Sequence, residues 1–359
     1  MKNLTVAEPS GKCGTRPRHQ EALLEYLSRK GVGNVCLFHR RFPRLSLLQE
    51  LFLRLMIWGE CLEPGRVGCH IEECYPGPGS AHCLGHGRGD GVADAFLAYT
   101  SRCRLRGELL QILGEYKPLI VVDLGLIGMH RDRELRSLRV QVGASLGVVR
   151  RYLWDRHLLL SGTRPGVIEW LRAFMGRGLF DYSSLPGDEA ASLRGANKII
   201  VLDPSAESEL SGEDIINADA FIIGGIVDIV PRPGATQRLG LRGLGEPRKI
   251  VLRGSTVGVP SRIPQVVEII MRARFETCGD VEEAVRRTMS PRDARLRAFV
   301  ELMRWSRGKK RKVPISFYHE LKKWLPISIR DFVRAAKMAK MDIVWDEEKA
   351  QQRPNSSYK

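Results

Sequence analysis

The chain has 359 residues, with 57 Lys plus Arg against 41 Asp plus Glu and a formal net charge of +16. That length supports two or three compact units whose cores need no covalent staples, and the cationic excess favours polyanionic partners, nucleic acid first, without bearing on fold. No apolar segment follows Met1, and the longest hydrophobic stretch, Leu45 to Trp58, is broken by Gln49, Glu50 and Arg54, which excludes a bilayer span there and makes a cytosolic protein the expectation.

The first 116 residues read as a small mixed unit. Leu23, Leu24 and Leu27 set helical spacing between His19 and Lys30, Val35 to Phe38 predicts a short strand, and Leu45 to Trp58 predicts a helix against a core. Pro64 to Gly91 is crowded with Gly, Cys and His and has no apolar period, so it is expected to be loop. Its Cys69-His70, Cys74, His82-Cys83 and His86 are compatible with a zinc site, with loose thiols or with a disulfide. No metal is assigned to the function. None of the eight Cys is required for folding, although disulfides are less surprising in a hyperthermophile, a setting compatible with the Arg-rich helices.

From Pro118 the pattern alternates. Strands are expected at 118–124, 157–161, 198–203, 219–224 and 249–253, with helices near 132–154, 165–176, 212–217 and 260–274. Ser211 stands at an N-cap, with Glu213 and Asp214 in the first turn. This alternation predicts a mostly parallel sheet covered on both faces. Three β-branched runs lead into an acid, at Asp123, Asp203 and Asp228, and the last passes through Gly224-Gly225 first. In such sheets ligands bind at the carboxyl edge, and backbone without Cβ approaches them closely.

After Gly279 strands are expected to cease. Asp280 with Glu283, Ser290-Pro291, Pro314 and Ser328 mark helix starts, so 280–341 reads as a helical bundle, followed by a polar tail expected to be disordered. The loop after Asp123 lacks the dinucleotide glycine spacing, the next strand ends without an acid, and no phosphate loop ending in Gly-Lys-Ser/Thr exists. Basic residues gather in three groups: Arg232, Arg238, Arg242, Arg248, Lys249 and Arg253 beside the proposed edge, Arg131 to Arg156 along one helix (including Arg150 and Arg151), and Lys309-Lys310-Arg311-Lys312. Three such groups in different segments predict an electropositive track for a nucleic-acid backbone.

Five ordered motifs, Val122-Asp123-Leu124-Gly125, Val149-Arg150-Arg151-Tyr152-Leu153-Trp154-Asp155, Val201-Leu202-Asp203-Pro204, Ile223-Gly224-Gly225-Ile226-Val227-Asp228 and Leu252 to Pro260, resemble the archaeal tRNA methyltransferases that modify N1 of the purine at nucleotide 9. Those enzymes belong to the SPOUT superfamily. The resemblance is strongest over roughly 115–275. It implies a parallel sheet closed by a C-terminal trefoil knot, an exception to the rule against knots, with an accessory RNA-binding domain at 1–116, the methyltransferase domain at 117–278, a helical domain at 279–345 and a tail at 346–359. By the same resemblance S-adenosylmethionine lies against Leu202, Gly224, Gly225, Arg253, Gly254, Gly258, Val259 and Ile263, while Asp228 is the acid nearest the reaction. Asp203 is a candidate orienter that equally suits capping the strand end before Pro204, and Asp123 reads as structural. Arg150, Arg151, Arg232, Arg238, Arg242, Lys309 and Lys310 are the expected RNA contacts, and the enzyme is expected to act as a monomer on tRNA in the cytoplasm. The alternatives are a methyltransferase for another RNA and a non-catalytic RNA-binding protein. Ile229-Val230-Pro231 departs from the basic residues and Asn that eukaryotic relatives commonly carry after the acid.

Overall fold

A computed structural model describes residues 5–6, 13, 16–100, 103–176, 178–227, 238–307 and 311–345. The N-terminal part contains β1 (Thr5–Val6), α1 (Arg18–Arg29), β2 (Asn34–Cys36), α2 (Leu47–Met56), β3 (Cys61–Pro76), β4 (Ala81–Ala98) and α3 (Leu105–Leu113). Its sheet has the order β1-β3-β4-β2. Leu23, Leu24 and Leu27 of α1 pack with Leu48, Leu51, Phe52 and Leu55 of α2 in one buried cluster.

The stretch expected to be loop is instead a long antiparallel hairpin of β3 and β4. Apolar alternation is missing because other features hold the ladder. A Cβ on Gly91 would stand 2.7 Å from the Cys69 carbonyl oxygen, so glycine lets the strands approach where the register shifts. Cys74 and Cys83 are direct cross-strand partners joined by a disulfide, and Cys36–Cys69 ties β2 to β3. Cys61–Cys103 and Cys13–Cys278 complete the set, leaving no free thiol. The zinc reading therefore fails: Cys69, Cys74 and Cys83 have no sulfur to offer, and His82 is engaged by Ser28 Oγ and the Val32 carbonyl.

The central part runs β5 (Leu119–Asp123), α4 (Asp132–Tyr152), β6 (Leu158–Ser161), α5 (Pro165–Met175), β7 (Asp181–Tyr182), α6 (Gly187–Ser192), β8 (Ile199–Leu202), α7 (Gly212–Asn217), β9 (Ala220–Gly224), β10 (Glu246–Arg248) and α8 (Ile263–Phe275). Every pairing is parallel, in the order β10-β8-β9-β5-β6-β7. Alternate residues of each strand serve the two faces. Ile120, Val122, Leu160, Ile200 and Phe221 join the cluster built with α4, α5 and α8, while Val121, Leu159, Val201 and Ile222 meet Ala190 and Ala191 of α6. The strand expected at 249–253 is displaced: β10 pairs with β8 three residues earlier, at 246–248, and the chain then turns away at Arg253-Gly254.

The C-terminal part holds α9 (Val281–Thr288), α10 (Pro291–Ser306), β11 (Lys312–Pro314), α11 (Ile315–Lys322), α12 (Ile329–Met338) and β12 (Asp342–Val344). Three of these helices, α9, α10 and α12, start at side-chain caps: Asp280, Ser290 and Ser328 each accept from a backbone N–H three residues on, whereas α11 follows Pro314 without one. Strands do not cease after Gly279, because β11 and β12 form a short parallel pair. Among the described residues no helix is long and apolar enough to cross a membrane.

Candidate active site at the carboxyl edge of the sheet

Asp123 ends β5 at 1% exposure and is a junction for four segments. Its carboxylate accepts from the N–H of Gly125 (2.8 Å), the N–H of Gly187 (2.7 Å) and Ser161 Oγ (3.1 Å). Its carbonyl accepts from the Gly225 N–H at 2.7 Å. Burial pushes the carboxyl above its ordinary range, against the opposite pull of those hydrogen bonds. The group is a structural fastener, as expected from the sequence, and it fixes the start of the segment after β9.

Gly225 is glycine for a different reason from the one the sequence suggests. A Cβ there would lie 2.7 Å from the Asp123 carbonyl oxygen and 2.7 Å from Leu124 Cδ2, so the tight fit is to β5 itself. Two residues later the Val227 N–H donates to His130 Nε2 at 3.0 Å. His130 Nδ1 lies 3.2 Å from the Ile127 carbonyl, so the ring is the tautomer with its proton on Nδ1. Asp228 and Arg232 follow outside the described residues, as do Lys309 and Lys310. His130 was not foreseen; a lone His ahead of α4 carries no periodic signal, and its role depends on a contact 97 residues away.

Asp203 turns onto its own loop. Oδ1 accepts from the Ser205 N–H (2.9 Å) and Ser205 Oγ (2.7 Å), which matches the strand-end capping alternative. Leu202, just before it, is buried between Ile223 and Arg248 in register.

The loop between β10 and α8 supplies the other wall. Leu252 and Ser255 pair across a two-residue turn in which Arg253 (φ 49°) and Gly254 (φ 65°) are both left-handed, the pattern of a type I′ turn. A Cβ on Gly254 would meet nothing within 4 Å, so open space lies against bare main chain. Gly258 packs on Arg297, and the Ile263 N–H is capped by Gln141 Oε1 of α4 at 3.0 Å. The C-terminal helices brace this loop from outside. Glu282 accepts from the Arg253 N–H at 2.6 Å, the Arg253 guanidinium lies over Trp324, and buried Arg297 reaches the Val257 carbonyl at 3.4 Å.

Leu202, Ile223 and Leu252 belong to one buried cluster, with Val227 and Val259 packed against it. Apolar side chains beside exposed main chain suit a ligand carrying a flat heterocycle read by backbone groups. The residues foreseen for S-adenosylmethionine therefore fit that group in chemistry, with Gly225 acting through β5 and Ile263 through the buried start of α8.

The expected RNA contacts divide. Arg238 is exposed near the edge, and Arg242 is exposed with Glu189 at 3.3 Å. Arg150 is held bidentate by buried Asp155, at 2.7 Å to each oxygen, and Arg151 pairs with Glu268 at 3.1 Å. Both lie in the last turn of α4, at the opposite end of the sheet from Asp123; Asp155, which holds Arg150, stands six residues before Ser161, the register partner of Asp123, so the chain places them roughly 20 Å from the acid edge.

A family model described as protein arginine N-methyltransferase SFM1-like matches residues 188–256. The tRNA (guanine(9)-/adenine(9)-N1)-methyltransferase of Thermococcus kodakarensis is 31% identical over 280 residues, covering 71% of this chain and 73% of that protein. The tRNA (adenine(9)-N1)-methyltransferase of Sulfolobus acidocaldarius is 36% identical over 192 residues, covering 52% of this chain and 60% of that protein. The crystal structure of Sulfolobus acidocaldarius Trm10 in complex with S-adenosylhomocysteine superposes with a TM-score of 0.66 at 20% identity, over 89% of this chain and 98% of that one, so the mixed α/β fold with its parallel sheet is shared. The extent of the Thermococcus match shows that the chain belongs to the tRNA (guanine(9)-/adenine(9)-N1)-methyltransferase family.

Proposed function

We infer that the chain transfers a methyl group from S-adenosylmethionine to N1 of the purine at nucleotide 9 of tRNA. The observation that carries this is the family relationship over 71% of the chain, supported by the glycine-lined, apolar carboxyl edge. The arginine N-methyltransferase match is confined to 188–256, the stretch holding α6, β8, β9 and β10, and supports a common transferase scaffold more than a common substrate.

In this reading Leu202, Gly224, the Arg253-Gly254 turn and the Gly258-Val259 segment hold the cofactor, which supplies an electrophilic methyl when bound. Gly225 and Ile263 support those contacts from β5 and α8. Asp228 accepts the N1 proton when guanine is the target; adenine N1 carries a free lone pair and needs only orientation. The His130 bond to the Val227 N–H sets the backbone immediately ahead of that acid. Asp203 stabilises the loop after β8 and takes no proton. Nucleotide 9 must expose its N1 edge, which costs a few kcal/mol of unstacking, and the exposed Arg238 and Arg242, with Arg232, Lys309 and Lys310, hold the RNA backbone. The segment after β9 is threaded as a trefoil knot, and the enzyme works as a cytoplasmic monomer. Light scattering with and without tRNA tests the monomer, and an electron-density trace from 224 to 263 tests the knot.

The deciding experiment incubates unmodified tRNA with the protein and labelled cofactor, then locates the methyl by nucleoside mass spectrometry. N1-methylpurine at nucleotide 9 is the expected product. Label on another nucleotide or another RNA, or tRNA bound with no transfer under any condition, overturns the reading.

A further inference from the structure

At the opposite ends of α4 and α5 from the acid edge, Arg41, Trp58, Tyr99, Arg150 and Met175 line an open cleft of about 470 Å³ beside the N-terminal part. We propose that this cleft binds a second nucleotide of the substrate tRNA, its base stacked on Tyr99 and its phosphate on Arg41; the proposal rests on the tRNA reading above.

Charge is the first support. Beneath the cleft, buried Arg54 is bonded to Glu60 through Nε at 3.0 Å and Nη2 at 2.6 Å, and buried Glu50 takes Arg40 at 2.8 Å. Two carboxylates thus face three guanidinium groups once Arg41 is included. Arg41 is the one at the surface, with its side chain 40% exposed and 3.9 Å from a Glu60 oxygen that Arg54 already holds. Arg150 opposite is neutralised by Asp155, so its contribution is a fixed planar wall rather than net charge. One positive charge is therefore displayed at the rim.

The aromatic arrangement is the second support. The Arg41 and Arg150 guanidiniums lie 5.1 and 5.3 Å from the Trp58 ring centroid, and Phe42 packs on the same ring at 4.9 Å, so Trp58 is the rigid floor. Tyr99 is 70% exposed, and its hydroxyl makes a weak 3.5 Å contact to Glu60. An exposed aromatic face beside an unneutralised guanidinium is the pairing by which proteins hold an unstacked base and its phosphate. The target purine is too far away to be that base: Met175 at the cleft ends α5, whose 11 residues span about 16 Å from the carboxyl edge.

Tyr99→Ala, Tyr99→Phe and Arg41→Gln separate the possibilities, each measured for binding of an unmodified tRNA transcript, for KM and kcat, for S-adenosylhomocysteine affinity and for melting temperature. Tyr99→Ala should weaken tRNA binding roughly tenfold and raise KM with kcat unchanged, while Tyr99→Phe stays near the parent. Arg41→Gln should weaken binding and lower the slope of log K against log salt by about 0.7–0.9. Cofactor-product affinity and melting temperature should not move. Parent-like binding in both Tyr99→Ala and Arg41→Gln overturns the proposal while leaving the methyltransferase reading intact. Equal loss in Tyr99→Phe and Tyr99→Ala also overturns it, because the hydroxyl contact rather than the ring would then matter. A polyglutamate peptide that binds the parent, fails on Arg41→Gln and leaves tRNA affinity untouched would assign the cleft to an acidic protein segment instead. A parent protein that neither binds nor methylates tRNA removes both readings.

Discussion

The Arg253 guanidinium sits 4.4 Å from the ring centroid of Trp324, so the turn on one side of the candidate cofactor site is clamped by an aromatic residue from the turn after α11. Replacing Arg253 by Gln removes the cation while keeping a polar side chain. Calorimetry with S-adenosylhomocysteine, in the absence of RNA, should show affinity lower by about 2- to 10-fold, the size of one partly exposed cation–π contact. Unchanged affinity would mean that the clamp does not hold the turn in its ligand-ready form.

Two glycines at the edge should fail in different ways. Gly225→Ala drives a methyl into the Asp123 carbonyl at 2.7 Å, so it should lower thermal stability as well as cofactor-product binding. Gly254→Ala meets no neighbour, but its φ of +65° costs about 1 kcal/mol for an L side chain, and the methyl enters the open space assigned to the ligand. Its main effect should be on affinity. Equal melting temperatures for Gly225→Ala and the parent would contradict the β5 contact.

Acid should loosen the junction between the N-terminal and central parts. His19 and His157 are buried 6.4 Å apart between ring centroids, and burial lowers their pKa values to about 3 and about 4. Both are neutral when folded and regain an ordinary pKa near 6.5 when unfolded. Their contribution is therefore complete above pH 6.5 and declines as pH falls through that value toward 4, because the unfolded chain binds more protons. At pH 5 each should cost about 2 kcal/mol, read as a fall in melting temperature before ordinary carboxylates titrate. A flat profile from pH 7 to 5 would sink the assignment.

The four disulfides should differ in worth by the chain they close. Separations of 265, 42, 33 and 9 residues predict that Cys→Ser pairs cost most at Cys13–Cys278, about 6 kcal/mol in the loop-entropy treatment, and least at Cys74–Cys83, about 3 kcal/mol. Chemical denaturation of each pair variant tests the ranking. A reversed order would mean that local geometry, not loop length, dominates.

Asp228→Asn should slow methyl transfer with tRNA affinity nearly unchanged. The loss should be large with a guanine target and small with an adenine, since only guanine N1 has a proton to lose. Parallel loss of binding and rate would assign the residue to structure.

The central sheet was legible because strands buried on both faces become continuous β-branched runs, as at Ile120-Val121-Val122 and Ile199-Ile200-Val201. Helix starts were legible where Ser290 or Ser328 caps them. The β3–β4 hairpin was hidden because its ladder depends on cross-strand glycines and cysteine pairs rather than on apolar period. The shift of β10 was hidden too, since Leu252 looks like strand until the left-handed Arg253-Gly254 pair reverses the chain. Within the candidate site, the glycines and Leu202 were readable, whereas His130, Gln141 and Trp324 act through contacts between distant segments. Arg150 was read as an RNA contact on charge alone; its partner Asp155 stands five residues on and settles its geometry.

Because Cys13 is bonded to Cys278, everything between them is a covalent circle. A protease that nicks the backbone once inside that circle opens it without releasing a fragment. The nicked molecule should keep its full mass on a non-reducing gel and fall into two pieces only when thiol is added.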